Sequence, residues 1–378
     1  MKIVLAPDKF KGSLTGFEFC DRVAAILESI DQVEVIMAPL ADGGDGTIDV
    51  VNYYLNGEII SVGVSNAIGK PITAHYLYAE LSKTAYIEMA EASGLQCLAT
   101  EEQHCMETTT FGTGQLIQHA IDQGAQHIIL GIGGSATNDC GIGMATALGY
   151  RFLDQHKREL KPIGKSLTDI TTIDYALVDS RLKHITFKIA CDVTNPLYGP
   201  DGAAYIYAKQ KGASDADIRH LDQGLQRFSG VLNRHFNLNV QDIKGAGAAG
   251  GLGAGAVAFL KGTLVPGIQL IKGIAQFDTL IQDADWIITG EGHLDTQTLS
   301  GKTLQGVLTS AKKQHINVAT FCGHIDLEQH NLQDLGITYS DAITNHAEDL
   351  NDDIRRVTHY VDLMTKAFVN QALRKKTT

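Results

Sequence analysis

The sequence predicts an α/β protein: a doubly wound parallel-sheet domain, formed by the two chain ends, is interrupted by an inserted mixed α/β domain. Three observations lead there. A chain of 378 residues is long for one hydrophobic core, so two domains are the default. Residues 2–55 read strand, helix, strand, helix, with polar, ligand-like loops after each strand, the opening of a doubly wound sheet. The rhythm then breaks into three closely spaced strands before α/β alternation returns near the C-terminus.

The elements follow in order. "KIVLAP" (2–7) is a short apolar run closed by Pro7, as in a buried strand. Phe19, Val23, Ile26 and Leu27 then recur on one face of a helix over 15–30, with Thr15 as its N-cap. "VEVIMAPL" (33–40) is the second strand, followed by the loop Ala41–Thr47 and a helix over 48–55. "EIISVGV" (58–64), "ITAHYLYA" (72–79) and "TAYIEMA" (84–90) form an antiparallel meander, turned once at Gly69-Lys70-Pro71. A helix over 108–123, a strand over 127–133, a helix over 138–149 and a strand over 186–192 come next. The last section reads strand 284–290, helix 301–314, strand 317–323 and helix 352–374. The expected division is 1–56 with about 275–378 for the interrupted domain, and about 57–274 for the insert.

Composition narrows the partners. Net charge is −12, a field that repels nucleic-acid backbones and leaves a small molecule as the expected partner, with homo-oligomerisation open. An anionic ligand therefore needs locally placed Lys, Arg, backbone N–H groups or a metal. The 39 glycines exceed the usual ~7% and cluster in loops, which suits backbone approaching a ligand. Six scattered cysteines without a C-x-x-C pair read as reduced thiols. The run Ile3–Ala6 breaks at Pro7-Asp8, too short for a signal peptide, and no segment reaches the ~20 apolar residues of a membrane span. A cytoplasmic location is expected.

The strand ends hold the candidate chemistry. Asp8, Lys9 and Lys11 follow the first strand, and Asp42, Gly43, Gly44 and Asp45 the second. Gly133, Gly134, Ser135, Thr137, Asn138 and Asp139 follow the strand at 127–132, Asp192 and Asn195 that at 186–191, and Glu291 and Asp295 that at 285–289. Ligands of open α/β sheets bind beyond the carboxyl ends of strands, and helix N-termini there favour anions. Carboxylates for Mg²⁺, glycine N–H groups and Lys302 for phosphates, and another carboxylate for an acceptor hydroxyl's proton amount to phosphoryl transfer. Asp45 and Asp192, beside Gly44 and Asn195, leave room for a hydrated Mg²⁺, while Asp295, before a phosphate-facing helix, suits the base. The base and metal roles of Asp295 and Asp192 could be exchanged without altering the pattern.

Each motif has a plainer reading. "DGGDGT" is also good turn chemistry, although two aspartates flank its glycines directly after a strand. "GIGGSA" (131–136) matches a dinucleotide fingerprint, but no acidic residue is read on a following strand at the expected ~20 positions onward. "GAGAAG" (245–250) is equally a ligand loop or a packing turn. Gly301-Lys302-Thr303 ends like a P-loop, yet position 296 is Thr where that motif needs Gly. His293 reads as a loop residue. A dinucleotide-dependent dehydrogenase and a non-catalytic two-domain sensor are the rivals; the number of carboxylates at strand ends argues against both.

In order, "APDKFKGSLT", "PLADGGDGT", "EMAEASGL", "TTTFGTGQLI", "GIGGSATNDCGIGMATALG", "ACDVTNPLYGPDGAA", "GAGAAGGLGAGAVAFL" and "GEGHLDTQTLSGKT" resemble the type I bacterial glycerate kinase family across nearly the whole chain. The resemblance implies ATP-dependent phosphorylation of D-glycerate, with 2-phosphoglycerate favoured over 3-phosphoglycerate. It also implies a Rossmann-like, flavodoxin-like domain interrupted by a second one. Family motif residues carry over as Asp8, Lys11, Ser13, Asp42, Asp45, Asp192, Glu291, Asp295 and Lys302, with Lys9 a departure where members often have Ser.

Overall fold

The computed structural model describes residues 1–10, 13–43, 46–295, 303–347 and 350–373. The chain divides into two compact units, Met1–Tyr54 with Pro266–Thr378, and Leu55–Val265. In chain order the strands are β1 (Lys2–Leu5), β2 (Glu34–Met37), β3 (Glu58–Ser65), β4 (Pro71–Ala79), β5 (Thr84–Glu88), β6 (His127–Gly131), β7 (Arg151–Leu153) and β8 (Thr172–Asp174). They continue with β9 (Thr186–Ala190), β10 (Thr263–Val265), β11 (Trp286–Leu294), β12 (Asn317–Ile325) and β13 (Ile337–Ala342).

The first unit holds a five-stranded sheet of order β13-β12-β11-β1-β2, with every pair parallel. Its order turns back between β1 and β11, since β2 lies on one side of β1 and the late strands on the other. That is the switch point where open sheets leave a crevice at the carboxyl ends. The helix Gly16–Leu27 begins at Thr15 with a full capping box to Glu18 and buries Phe19, Cys20, Val23, Ala24 and Leu27, leaving Ile26 at the margin. It packs with the helix Leu350–Phe368 on one core of Ile3, Leu5, Trp286, Ile288 and Phe321. Phe10 stacks on Phe19 with ring centroids 5.4 Å apart, and each such buried ring contributes about 1.5–3 kcal/mol by leaving water.

The second unit holds a six-stranded sheet of order β10-β9-β6-β5-β4-β3. The two pairings among β3, β4 and β5 are antiparallel; β5, β6, β9 and β10 run parallel. β7 and β8 make a separate antiparallel hairpin. No helix of the described residues is long and apolar enough to cross a membrane.

Several elements differ from the sequence expectation. β11 does not stop at Gly290 but runs to Leu294, because β12 supplies a parallel partner as far as Leu294↔Ile325. The helix expected over 138–149 spans only Ile142–Ala147, since Thr137–Asp139 fold into a buried loop ahead of it. The amphipathic helix Asp215–Phe236, capped by Ser214 and Asp217, has no counterpart among the expected elements.

"GAGAAG" is a packing turn. Ala249, Gly250 and Gly251 have φ of 52°, 66° and 89°, a left-handed break inside the helix Ala248–Leu260. A Cβ on Gly250 would lie 2.1 Å from the Thr137 carbonyl oxygen, and Cys140 N–H donates to the Gly250 carbonyl at 3.1 Å. The glycines let this backbone lie against the Thr137–Cys140 loop.

Candidate functional site

In the first unit Asp8 stands directly after β1 at the sheet's switch point, its N–H donating to the Gly290 carbonyl at 2.9 Å. Lys9 N–H donates to Asp8 Oδ1 at 2.7 Å, and Thr303 Oγ1 donates to Asp8 Oδ2. Burial nevertheless raises the carboxyl from its ordinary 3.8 to about 6; the Thr303 bond opposes the rise and the negative charge of Asp42 adds to it. A carboxyl shifted towards neutrality at a strand end is a candidate functional position. Thr303 is the third residue of the Gly-Lys-Thr triplet, so its hydroxyl serves Asp8 here and opens the helix Thr303–Gln314.

Asp42 and Gly43 follow β2, with Gly43 at φ 95°, and the chain there is pinned by Leu40 N–H donating to the Pro7 carbonyl at 2.9 Å. Ser13 belongs to a tight turn: its Oγ donates to the Phe10 carbonyl at 3.2 Å while Phe10 N–H donates to Leu14 O at 2.8 Å. Glu291 lies inside β11, paired with Cys322, rather than in a loop after the strand. Asp295 is the first residue past that strand. Lys11, Gly44, Asp45 and Lys302 lie outside the described residues.

In the second unit Gly133 and Gly134 are exposed beyond β6, with Gly134 at φ 70°. The loop is tied at two points, Leu95 N–H to Gly134 O and Ala136 N–H to Ser93 O, both at 2.9 Å. Beyond it Ser135–Asp139 are buried, and four of these five residues are polar. Lys211 Nζ donates to Ser135 Oγ at 2.6 Å and to Thr137 O at 2.8 Å. Burial pushes this ammonium down to about 8, against the opposing pull of Cys105 and Asp139. Thr137 Oγ1 and both amide atoms of Asn138 are buried without a hydrogen-bond partner among the described residues. Orphaned polar atoms of that kind call for a ligand or water.

Asp139, by contrast, is structural. Its carboxylate accepts from Thr110 N–H and Oγ1 at 2.8 and 2.9 Å, and from Gly141 and Gly143 N–H at 3.1 Å. Those donors at the start of the short helix Ile142–Ala147 are therefore spent on a side chain and are not free for an anion, contrary to the sequence expectation. Asp192 follows β9 on an exposed segment, and the next helix begins only at Ala203. Asn195, expected to leave room beside Asp192, commits its amide to Asp201 O at 2.9 Å and accepts from Tyr207 OH at 2.6 Å.

The structure also adds Thr303 and Lys211, which the sequence did not single out. Thr303 was within reach of the Gly-Lys-Thr pattern; Lys211, in the polar run "AKQKG", gives no signal of burial.

Fold and loops define an α/β protein with acidic residues beyond the carboxyl ends of the strands in one unit and a glycine-rich loop beyond β6 in the other. The chain belongs to the glycerate kinase family, whose model matches residues 3–372. It is 41% identical to a glycerate kinase of Bacillus cereus (strain ATCC 10987 / NRS 248) over 367 residues, 97% of this chain and 96% of the relative. Glycerate 2-kinase of Escherichia coli (strain K12) is 39% identical, over 91% of this chain and 89% of its own. A crystal structure assigned to glycerate kinase 2 of Salmonella typhimurium LT2 matches with TM-score 0.89 and 35% identity, covering all of both chains.

Proposed function

We infer that this chain is an ATP-dependent glycerate kinase acting in the cytoplasm, and that it phosphorylates the 2-hydroxyl. The observation that carries the reading is the 41% identity to a glycerate kinase over 97% of the chain. The 39% identity to a glycerate 2-kinase supports the 2-position.

The donors gathered at the strand ends are carboxylates, hydroxyls and amides, an oxygen-rich set that suits Mg²⁺. The mutual repulsion of Asp8 and Asp42 is the kind of charge excess a divalent cation relieves. Asp45 and Asp192 are each proposed as carboxylates for Mg²⁺, which would supply charge neutralisation on the transferring phosphoryl group. Gly133, Gly134 and Ser135 present backbone and hydroxyl donors to phosphate, with Lys302 as a further cation. The orphaned Asn138 amide is support for a ligand on that loop. In the first unit Asp8, Ser13, Asp42, Gly43 and Glu291 would surround the bound substrate groups. Asp295 takes the proton of the glycerate hydroxyl as the oxygen attacks.

A second reading gives that proton to Asp8, favoured by its titration near 6, close to the optimum for a base at neutral pH. The two separate by experiment. ADP release is followed with D-glycerate, with and without Mg²⁺, across pH, and the product is identified by phosphorus NMR. ADP release with Mg²⁺ and a 2-phosphate product are expected; no ADP release at saturating Mg-ATP and glycerate would end the reading. Under the second reading the acid limb of kcat/KM falls near pH 6 and vanishes in Asp8→Asn, while Asp295→Asn keeps it.

A further inference from the structure

We propose that His293, His324 and Asp326 form a binding site for one divalent transition-metal ion of the zinc, cobalt or nickel kind. The backbone creates it. His293 and His324 pair in register on the neighbouring parallel strands β11 and β12, so their side chains leave the same face of the sheet. Asp326 lies two residues beyond His324, on that face again, and its N–H is anchored by the Leu294 carbonyl of the other strand at 2.9 Å. The imidazole ring centroids are 5.2 Å apart.

The carboxylate already bridges the two rings. His293 Nε2 is 2.7 Å from Asp326 Oδ2, and His324 Nε2 is 2.7 Å from Asp326 Oδ1. One ligand atom from each residue falls within 4.8 Å of the others, the one such grouping among the described residues. Bond lengths of about 2.0–2.1 Å place the atoms of a tetrahedral shell about 3.3 Å apart, so small side-chain rotations close this group on an ion. All three side chains are about half exposed, which keeps the desolvation cost low and leaves the remaining coordination positions to water. His324 Nδ1 also faces Thr344 Oγ1 at 3.4 Å, a partner of the kind that orients a ligating ring.

The ligand types set the choice of ion. Two imidazoles and one carboxylate suit zinc, cobalt, nickel and copper, whereas Mg²⁺ prefers oxygen and keeps its waters. The site is thus distinct in chemistry from any Mg²⁺ that accompanies ATP, and it does not rest on the kinase reading. Occupied, it cross-links the end of β12 to that of β11, and β11 is the strand that carries Glu291 and leads into Asp295.

The test uses the full chain, freed of any affinity tag, with excess Mg²⁺ present. Co²⁺ is titrated by its visible d–d absorption and Zn²⁺ by calorimetry. One ion per chain is expected at micromolar dissociation constants, without a thiolate charge-transfer band. His324→Ala and Asp326→Asn, both at exposed positions, should each weaken binding at least tenfold while circular dichroism is unchanged. Binding weaker than millimolar, displacement by Mg²⁺, a thiolate band, or full affinity in both variants would overturn the site.

Discussion

Replacing Asp8 by Asn should make the protein more stable at neutral pH while damaging turnover. The carboxylate is held ionised at pH 7 against burial and against Asp42, and its titration near 6 measures that cost. A rise from 3.8 to about 6 corresponds to about 3 kcal/mol of penalty on the charged form. Asp8 is partly exposed, which reduces the figure to about 2 kcal/mol. Asn can keep both hydrogen bonds: its carbonyl takes the Lys9 N–H, and its amide donates to Thr303 Oγ1, whose hydroxyl rotates. The sign follows from linkage. The native state holds this proton more tightly than the unfolded chain, so its contribution is favourable below about pH 4 and is lost as pH rises through 4 to 6. Urea denaturation of wild type and Asp8→Asn, at several pH values from 4 to 7, reads it directly. The variant should gain about 2 kcal/mol at pH 7, and the difference should shrink by that amount at pH 4. In the coupled assay kcat should fall by roughly a hundredfold, the usual size of a lost acid–base or electrostatic group. A variant that is less stable at pH 7, or whose difference from wild type does not move with pH, would refute the account of Asp8.

Three further outcomes follow from named contacts. Lys211→Met removes a charge-burial cost of about 3 kcal/mol but strands Ser135 Oγ and Thr137 O at about 1–3 kcal/mol each, so net stability at pH 7 should fall between a gain of about 1 kcal/mol and a loss of about 3 kcal/mol. The wild type should gain stability as pH rises from about 8 towards 10.5, because there only the unfolded chain keeps the proton; Lys211→Met should lose that slope, and its persistence in a pH series of melts would acquit Lys211. Gly250→Ala forces a Cβ against the Thr137 carbonyl at a left-handed φ and should cost about 3 kcal/mol or more in denaturant, wild-type stability being the contrary result. Asp295→Asn should cut kcat with Mg-ATP affinity nearly intact, whereas Asp192→Asn should also weaken the Mg²⁺ dependence; the reverse pattern in steady-state kinetics exchanges their roles.

What could be read in the chain depended on how far away each residue's partner lies. The Thr15–Glu18 capping box and the spacing of Phe19, Val23 and Leu27 are local, and the helix they specify forms where the pattern put it. The β3–β4–β5 meander is likewise joined by short turns, and it is antiparallel as its spacing implied. The helix Asp215–Phe236 was legible on the same terms, through Ser214 and Asp217 and the run Ile218, Leu221, Leu225, Phe228, but its polar composition hid it. β11 is another case altogether. Gly290-Glu291-Gly292 has turn chemistry by local rules, and only the parallel partner β12, some thirty residues on, supplies hydrogen bonds that keep it extended to Leu294. The same extension turns His293 from a loop residue into one in register with His324. The candidate site divides along that line too. Asp8, Asp42, Gly133 and Asp192 could be named because each lies within five residues of the end of its own strand. Lys211 could not, since the hydroxyl that holds its ammonium is 76 positions away and no local pattern distinguishes a buried lysine from a solvated one. Polar groups in this protein acquire their chemistry from long-range burial, so strand-end loops point to where a ligand would lie, while the groups that tune and brace those loops emerge only once the sheet has brought them together.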